Sequence, residues 1–354
     1  GGAAVVWDAV CKRTYVECTI KISFPQGPYT HKQSPPSYVE VDVMAIAARE
    51  SFVFCMGLFK RTRERHGWSK ITDVEGGQLG YETIAIMPRF VVDLGWFGLV
   101  TGQWRSSEFG YPLCVDVDEC QEFELRLVQE YMAKALAGLR ELHTFRKPIM
   151  HGDIKNGNIL FNVKTRRLLL IDFNLSRKQP AVKFPRGTAG YRAPECLVVR
   201  DKVSIHDSNV TVATVVLPDR AFIAADIWAM GVTALQLVFG RVPFASTQAR
   251  ADVLDLVGHE EYEAQDLVLK DIALAEYKRW TACPWQAQKP GWLRAGLLER
   301  GLIPDSGGVR VILDDTGSPF WRLLEGMMAY NALNRFTCHD CLSHKFLKDA
   351  RLEQ

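Results

Sequence analysis

The chain has 354 residues, of which 47% are hydrophobic and 24% are charged, and its formal net charge at pH 7 is +2. These values are typical of a folded globular protein, and they give no reason to expect nucleic acid or an acidic membrane surface as a partner. Nine cysteines are an odd number, so at least one has no disulfide partner within the chain.

The first two predicted elements lie before the first proline. Apolar residues at Val6, Val10 and Cys11 predict an amphipathic helix over residues 3–14. Residues 15–24 alternate in character and are rich in β-forming side chains, which predicts a strand.

The next segment combines a helix with a second pair of strands. Helical spacing of apolar residues predicts a helix over residues 38–50, and residues 57–67 read as a charged connector. Two strands, at 68–74 and 81–87, flank a Glu-Gly-Gly turn signal, which predicts a hairpin. Pro88 ends the second strand.

After Pro88 the pattern becomes helical. Residues 116–145 predict one long amphipathic helix, and residues 198–220 look like an insertion of two short strands. The segment 221–240 is long and apolar enough to suggest a membrane span, but Asp226 inside it favours a buried helix. The apolar face predicted for the long helix consists of Leu125, Val128, Met132, Leu136 and Leu139.

Three motifs stand in order between residues 151 and 195. The first reads His-Gly-Asp-Ile-Lys-Asn-Gly-Asn from His151, the second is Asp-Phe-Asn from Asp172, and the third is Ala-Pro-Glu ending at Glu195. Protein kinases carry H-R-D-L-x-x-x-N, D-F-G and A-P-E in this order. The sequence therefore resembles protein kinases and predicts a bilobal α+β fold, with a small β-rich lobe over 1–88 and a larger helical lobe over 89–354.

The resemblance assigns roles in phosphoryl transfer to four residues. Asp153 would accept the hydroxyl proton of a substrate, and Lys155 would place a cation near the transferred phosphate, as in serine/threonine kinases. Asn158 and Asp172 would supply the oxygen ligands that Mg²⁺ prefers. A reading of these side chains as ordinary loop polar residues leaves their joint spacing unexplained.

Lys21, in Cys-Thr-Ile-Lys-Ile, resembles the nucleotide-binding lysine of the Val-Ala-Ile-Lys strand. Glu40 lies on the next predicted helix, where the glutamate that pairs with this lysine belongs. Asp42 and Glu50 are alternatives for that position.

Three further charged residues resemble structural positions of kinases. Asp226 begins an Asp-x-Trp-x-x-Gly signature, and its carboxylate would hold backbone amides of the catalytic loop. Arg335 resembles the arginine that pairs with the Ala-Pro-Glu glutamate, which is Glu195 in this chain.

The sequence departs from the kinase pattern at three places. No glycine occurs between Ala3 and Gln26, so the Gly-rich loop expected before Lys21 is missing. Gly152 replaces the arginine of His-Arg-Asp, which removes the cation that reads a phosphorylated activation segment. Asn174 replaces the glycine of Asp-Phe-Gly, and asparagine tolerates a left-handed backbone well.

The sequence is similar to the rhoptry-kinase group of apicomplexan parasites, in the branch without a Gly-rich loop. The similarity consists of Met-Pro-Arg-Phe after the fifth kinase strand, the long connector before the fourth strand and the missing Gly-rich loop. This resemblance implies secretion into the parasitophorous vacuole lumen or cyst wall. It also implies a monomer that binds other secreted proteins of the parasite vacuole, without a membrane span. Relatives that lack the loop can still be active kinases.

Two functions follow. The favoured one is a pseudokinase that uses the kinase fold as a binding module and needs no cofactor. The alternative is an active serine/threonine kinase that takes ATP and Mg²⁺.

Cysteines near the C-terminus allow two interpretations. The spacing of Cys338, His339, Cys341 and His344 could suggest zinc, although no second ligand pair stands nearby. Disulfides that use some of Cys283, Cys338 and Cys341 fit a secreted kinase fold better.

Overall fold

A computed structural model gives the architecture. It describes residues 4–23, 57–62, 69–70, 81–88, 117–162, 167–176, 181–183, 187–188, 190–193, 196, 214–216, 219–239, 242, 290–299 and 317–348.

The N-terminal part forms one five-stranded antiparallel sheet with strand order β1-β2-β5-β3-β4. Its strands are β1 (Ala4–Val10), β2 (Glu17–Ser23), β3 (Gly57–Thr62), β4 (Ser69–Lys70) and β5 (Tyr81–Pro88). The predicted strands at 15–24 and 81–87 are thereby confirmed. Lys21 lies in the middle of β2, opposite Val6 on one side and Ala85 on the other.

The helix predicted over residues 3–14 is wrong, because this segment contains strand β1. All seven residues of Ala4–Val10 pair in register with β2, from Ala4 opposite Ser23 to Val10 opposite Glu17. Valine and tryptophan are strand formers, and pairing with a neighbour outweighs a weak helical spacing of three apolar residues.

Residues 57–62 and the predicted hairpin also need correction. The segment read as a charged connector begins with strand β3, which pairs with β5 along its whole length. Strand β4 pairs with β3 rather than with β5, so the hairpin predicted between the segments 68–74 and 81–87 is wrong. The sequence alone does not reveal these two pairings. Strand β5 is distant from β3 along the chain, and β4 has two neighbouring strands with which it could pair.

Helices build most of the remaining described structure. They are α1 (Val117–His143), α2 (Asp219–Phe239), α3 (Trp292–Glu299), α4 (Pro319–Met327), α5 (Cys338–Ser343) and α6 (Lys345–Lys348). Two small antiparallel pairs accompany them, namely β6 (Ile159–Asn162) with β7 (Arg167–Leu170) and β8 (Ala181–Lys183) with β9 (Thr214–Val216).

The long helix α1 confirms the predicted helix over 116–145. Its predicted apolar face is buried at Val128, Met132, Leu136 and Leu139, while the side chain of Leu125 lies outside the described residues. These residues share one hydrophobic core with α2 and α4. None of the helices in the described part of the chain has the length and apolarity that a membrane span requires.

Several predictions fall outside the described residues. They include the helix over 38–50 with Glu40, Asp42 and Glu50, the residue Glu195, and most of the insertion over 198–220. Of the two strands expected in that insertion, β9 is the one that the described residues contain, and it pairs with β8.

The C-terminal cysteines correct the disulfide interpretation. Cys338 and Cys341 are free thiols, both buried on α5, and Cys283 lies outside the described residues. No group of three or more metal-ligating side chains comes together in the portion of the chain that the structure describes.

Arg335 is buried in the helical part of the structure, with 2% of its surface exposed. Its guanidinium donates to the carbonyl oxygens of Ala329 at 2.8 Å, Tyr330 at 3.1 Å and Ala224 at 3.2 Å. It also lies over the indole ring of Trp228, with Cζ 5.1 Å from the ring centroid. Arg335 therefore joins the turn after α4 to helix α2.

Replacing Arg335 by alanine should destabilise the fold by about 3 kcal/mol, because three carbonyls, of which that of Ala224 is buried, lose a charged donor and a cavity forms beside Trp228. Urea unfolding would measure the change. The matched control is Arg146→Ala at an exposed arginine, where we expect a change within about 0.5 kcal/mol. Equal effects of the two substitutions would contradict this role of Arg335.

Tyr15, in the turn between β1 and β2, has a left-handed backbone with φ of 56°, and its side chain is 82% exposed. Tyr15→Gly should stabilise the protein by about 1 kcal/mol, because glycine adopts this conformation without strain and no buried contact is lost. Tyr330→Gly is the control, since Tyr330 is also an exposed tyrosine but has a negative φ. A lower melting temperature for Tyr15→Gly would show that the turn is not strained.

Candidate active site

Asp226 holds the start of the catalytic loop, as the sequence predicted. Its Oδ2 accepts a hydrogen bond from the backbone N–H of His151 at 2.8 Å, and its Oδ1 accepts from Gly152 N–H at 2.9 Å. Nε2 of His143, the last residue of α1, lies 2.9 Å from the same Oδ2. The carboxylate thus connects α1, α2 and the loop in a buried setting.

Gly152 occupies a position that a side chain would not fit. Its φ is +83°, and a Cβ atom there would lie 2.7 Å from the carbonyl oxygen of Leu175. Gly187, with φ of +94°, packs against Gly152 so closely that its own Cβ would meet the Gly152 oxygen at 2.8 Å. This backbone therefore requires the glycine of His-Gly-Asp, even though the glycine removes the positive charge of the arginine in His-Arg-Asp.

The carboxylate of Asp153 receives four hydrogen bonds. Thr188 donates to Oδ1 through its N–H and its hydroxyl, each at 2.8 Å. Lys155 Nζ and Asn158 Nδ2 donate to Oδ2, each at 2.9 Å. Asn158 Nδ2 also bonds the Asp153 carbonyl oxygen at 2.8 Å, which fixes the loop between these two residues.

This environment keeps Asp153 ionised. Burial by itself raises the pKa of Asp153, but the Lys155 ammonium and the hydrogen bonds from Lys155 and Thr188 outweigh burial and hold that pKa below its usual range. At neutral pH both carboxylate oxygens of Asp153 are therefore hydrogen-bond acceptors.

Thr188 is the site residue that the sequence reasoning missed. Its hydroxyl accepts from Lys155 Nζ at 2.6 Å while it donates to Asp153. Ser176 carries a second hydroxyl group next to this loop. Both hydroxyls are engaged, since Ser176 is buried and donates to the His151 carbonyl at 3.0 Å. The signal in the sequence was the pair Gly187-Thr188, which stands shortly before the Ala-Pro-Glu motif.

Asp172 and Lys21 meet across the fold. Lys21 Nζ on β2 lies 2.8 Å from Asp172 Oδ1, although the two residues are 151 positions apart. Asp172 has a left-handed backbone with φ of 62°, whereas Asn174 lies in a 3₁₀ turn (Phe173–Leu175) without positive φ. The left-handed residue of this motif is therefore the aspartate itself, and replacing glycine by Asn174 carries no backbone strain.

Three contacts fix Asp172 relative to the catalytic loop. The N–H of Ile171 donates to the carbonyl oxygen of Asn158 at 3.0 Å, and the ring of Phe173 packs against that of His151 with centroids 5.0 Å apart. His151 Nε2 lies 3.0 Å from the Ile171 carbonyl oxygen. The two residues predicted to bind metal, Asn158 and Asp172, thus belong to backbone segments that bond one another directly.

The structure brings together Lys21, Asp153, Lys155, Asn158 and Asp172 around one region, with Asp226 beneath the loop. It does not test Glu40 or Glu195, which lie outside the described residues. Arg335 is buried as predicted, but its pairing with Glu195 stays a prediction. The catalytic and metal-binding roles of the other residues also stay predictions, because geometry alone does not demonstrate them.

Comparisons with known proteins agree with the motifs. A model of the protein kinase domain matches residues 115–347. The chain is 27% identical over 236 residues to cell division control protein 2 homolog 2 of Trypanosoma brucei brucei, covering 64% of this chain and 55% of that protein. It is 26% identical over 191 residues to serine/threonine-protein kinase tousled-like 1 of Homo sapiens, covering 47% of this chain and 22% of that protein.

The chain thus spans about half or less of the length of these relatives. Among solved structures it is similar to the kinase PK-1 of Cydia pomonella granulovirus, with a TM-score of 0.54 and 17% identity. That match covers 98% of this chain and 91% of the viral one, and at this identity it supports the fold alone.

Lys155→Met should raise the pKa of Asp153, because burial then acts without the ammonium that opposes it. A carboxylate with a lowered pKa stabilises the fold above its unfolded pKa of about 3.9 and loses this contribution as the pH falls. We therefore expect the variant to be less stable than the parent at pH 7 and the difference to shrink towards pH 3.5.

Urea unfolding at several pH values and ¹³C NMR titration of Asp153 would measure these effects. Lys348→Met, at an exposed lysine of α6, is the matched control and should leave both quantities unchanged. A stability difference that is constant with pH would contradict the assigned coupling.

Proposed function

The chain belongs to the protein kinase domain family, and we propose that it transfers the γ-phosphoryl group of ATP to serine or threonine hydroxyls. The observation that carries this proposal is the network around Asp153. A domain that served only as a binding module would not need a carboxylate held by Lys155, Asn158 and Thr188 beside the pair of Lys21 and Asp172. We prefer this proposal to the pseudokinase, which the sequence favoured because of the missing Gly-rich loop, the changes at Gly152 and Asn174 and the resemblance to the rhoptry-kinase group.

The proposed roles follow from the contacts of each residue. Asp153 orients the hydroxyl of the substrate and takes its proton as the bond to phosphorus forms, while Lys155 compensates negative charge beside it. A carboxylate oxygen accepts about two hydrogen bonds, so an incoming hydroxyl has to replace one of the present donors. The Thr188 hydroxyl is the suitable one to yield, because its backbone N–H still holds Oδ1.

The residues present also fit the nucleotide and metal that this reaction requires. Oxygen ligands suit Mg²⁺, and the carboxylate of Asp172 together with the amide oxygen of Asn158 would hold it. Lys21, already directed to Asp172, would bind phosphate oxygens. When bound, ATP supplies the phosphoryl group, and Mg²⁺ neutralises the charge that develops on it.

Two further observations support serine or threonine as the acceptor. Lys155 stands two residues after Asp153, a spacing that resembles serine/threonine kinases. A relative with 26% identity is named a serine/threonine-protein kinase. No particular substrate protein follows from either observation.

A second candidate is the pseudokinase favoured by the sequence. Its supporting observation is that strands β1 and β2 and the turn between them contain no glycine. Backbone N–H groups of that turn are also used internally, since Cys11 N–H bonds Val16 and Tyr15 N–H bonds Cys11. Nucleotide would then lack close backbone donors, and no cofactor would be bound.

The cellular setting is part of the proposal for either candidate. The resemblance to the rhoptry-kinase branch without a Gly-rich loop, and within it to the bradyzoite pseudokinase, rests on sequence motifs alone. It supports a secreted monomer in the parasitophorous vacuole lumen or cyst wall that acts on, or binds, other secreted proteins of the parasite.

Radiolabelled phosphate transfer to casein, with ATP and Mg²⁺, tests the two candidates. We expect transfer to serine and threonine by the parent protein, and we expect Asp153→Asn to lower kcat by about a hundredfold or more while nucleotide binding persists. Lys21→Met should mainly raise the KM for ATP. The control Lys147→Met changes an exposed lysine and should leave both parameters unchanged.

Thermal stabilisation by ATP and Mg²⁺ separates the alternatives. An active kinase should show saturable stabilisation that Asp172→Asn removes. If neither phosphate transfer nor any stabilisation by millimolar ATP is detected, the kinase proposal is wrong and the pseudokinase is supported.

A further inference from the structure

Behind the catalytic loop, three buried side chains from three helices form a continuous chain of polar contacts. Asp226 of α2 lies 2.9 Å from Nε2 of His143, at the end of α1. Nδ1 of the same imidazole lies 3.4 Å from the sulfur of Cys338, the first residue of α5. All three residues are buried, so water does not replace these contacts.

The far end of this chain touches the site. Asp226 accepts the backbone N–H groups of His151 and Gly152, and the next residue is Asp153. Any change that weakens the hydrogen bonds of the Asp226 carboxylate, or that lets the carboxylate rotate, will shift these two N–H groups. Cys338 is therefore connected to the catalytic loop through two hydrogen-bonded intermediates.

We propose that Cys338 is a positioning residue of the catalytic loop: its sulfur accepts the Nδ1–H of His143 and so keeps Nε2–H directed at Asp226. This inference rests on the proposed function only where activity is used to measure it. The sulfur matters because the partner of one ring nitrogen determines the proton on the other. Without an acceptor at Nδ1, a doubly protonated ring would bury an unpaired N–H group, so the ring would give up that proton or rotate, and its contact with Asp226 would weaken.

The electrostatics of His143 agree with this arrangement. Burial by itself lowers the pKa of His143, but the attraction of Cys338 and the hydrogen bond with Asp226 outweigh burial and raise the pKa to about 10. A protonated imidazole donates from both nitrogens, so both neighbours are used as acceptors. Among the described residues, Asp226 and Cys338 are the titratable groups in contact with the ring.

Cys341 provides a matched control on the same helix. Its thiol is as buried as that of Cys338, and burial raises the pKa of Cys341 well above its usual range. Alanine at either position removes the same atoms from the same hydrophobic core. The two substitutions therefore differ mainly in whether His143 loses its acceptor.

The test combines ¹⁵N NMR of the His143 ring, assigned with His143→Gln, and steady-state kinetics with ATP and casein. In the parent we expect a doubly protonated ring up to about pH 9, and backbone amides of His151 and Gly152 that respond to pH with the same midpoint. Cys338→Ala should lower that midpoint by more than one pH unit, whereas Cys338→Ser, which keeps an acceptor at Nδ1 but not the electrostatic attraction of the sulfur, should recover part of that loss. Cys341→Ala should leave the midpoint unchanged.

Kinetics should follow the same order. We expect Cys338→Ala to reduce kcat by about tenfold with the KM for ATP within twofold, since misplaced catalytic groups affect the chemical step. Cys338→Ser and Cys341→Ala should stay within twofold of the parent. Equal losses in Cys338→Ala and Cys341→Ala would mean that Cys338 contributes packing only, and the proposal would be overturned.

Two features keep the test decisive. If the protein transfers no phosphate, the proposed function fails, but the titration of His143 and of the two amides still decides the contact network. If Cys338→Ala does not fold, the parent protein suffices, because a neutral His143 ring at pH 7 or amides that do not follow it would overturn the proposal.

Discussion

The hydrogen bonds of the Asp226 carboxylate are the constraint on which the rest of the site depends. One buried side chain accepts two consecutive backbone N–H groups of the catalytic loop and also contacts the imidazole of His143. The loop begins with a positive φ at Gly152, and its first regular element is the 3₁₀ turn Asn156–Asn158, so the path of its first residues has to be fixed by other bonds. Buried backbone donors need partners, and a charged acceptor is a strong one. The position of Asp153 relative to the helices follows from these bonds.

Hydrogen bonds likewise fix the positions of the polar groups of the site relative to one another. Asp153 accepts from Lys155, Asn158 and Thr188, so a carboxylate, an amide and a hydroxyl are held in one geometry. The position of Asp172 is fixed by the backbone hydrogen bond between the neighbouring Ile171 and Asn158 of the loop. Its left-handed backbone is a conformation that aspartate tolerates and bulky residues avoid. Preorganised polar groups of this kind are what phosphoryl transfer requires of a protein.

Whether this protein catalyses phosphoryl transfer or serves only as a binding module therefore depends on the N-terminal side of the site. On the C-terminal side, the side chains of Asp153, Lys155, Asn158 and Asp172 are hydrogen-bonded. On the N-terminal side, β2 delivers Lys21 to Asp172, but neither β2 nor the strand before it offers glycine for a close backbone approach to phosphates. Phosphate contacts in this protein would have to come from side chains, chiefly from Lys21. Such a site would bind nucleotide less tightly than one in which a Gly-rich loop adds backbone N–H groups. Weaker nucleotide binding does not exclude phosphoryl transfer.

The sequence by itself determined the parts of this protein that depend on spacing along the chain. The order of the three motifs predicted the kinase fold and the residues Asp153, Lys155, Asn158 and Asp172, because a loop between fixed elements needs its groups at fixed intervals. A separate Asp-x-Trp-x-x-Gly signature predicted Asp226. Helical periodicity likewise predicted α1, since one helix face buries residues three and four apart, while α2 followed from its long apolar segment and Asp226. These inferences are local, and local patterns carry them.

Tertiary structure decided what depends on contacts between distant segments. Residues 4–10 form a strand only because β2 lies alongside, and a weak helical spacing could not reveal that partner. Thr188 enters the site from 35 residues beyond Asp153, and Cys338 reaches His143 from 195 residues away. Neither residue type announces such a role, because a hydroxyl or a thiol gains its function from the group that packing places beside it. The requirement for glycine at 152 likewise came from a neighbouring carbonyl oxygen, which only the folded chain brings within 2.7 Å of a Cβ atom at this position.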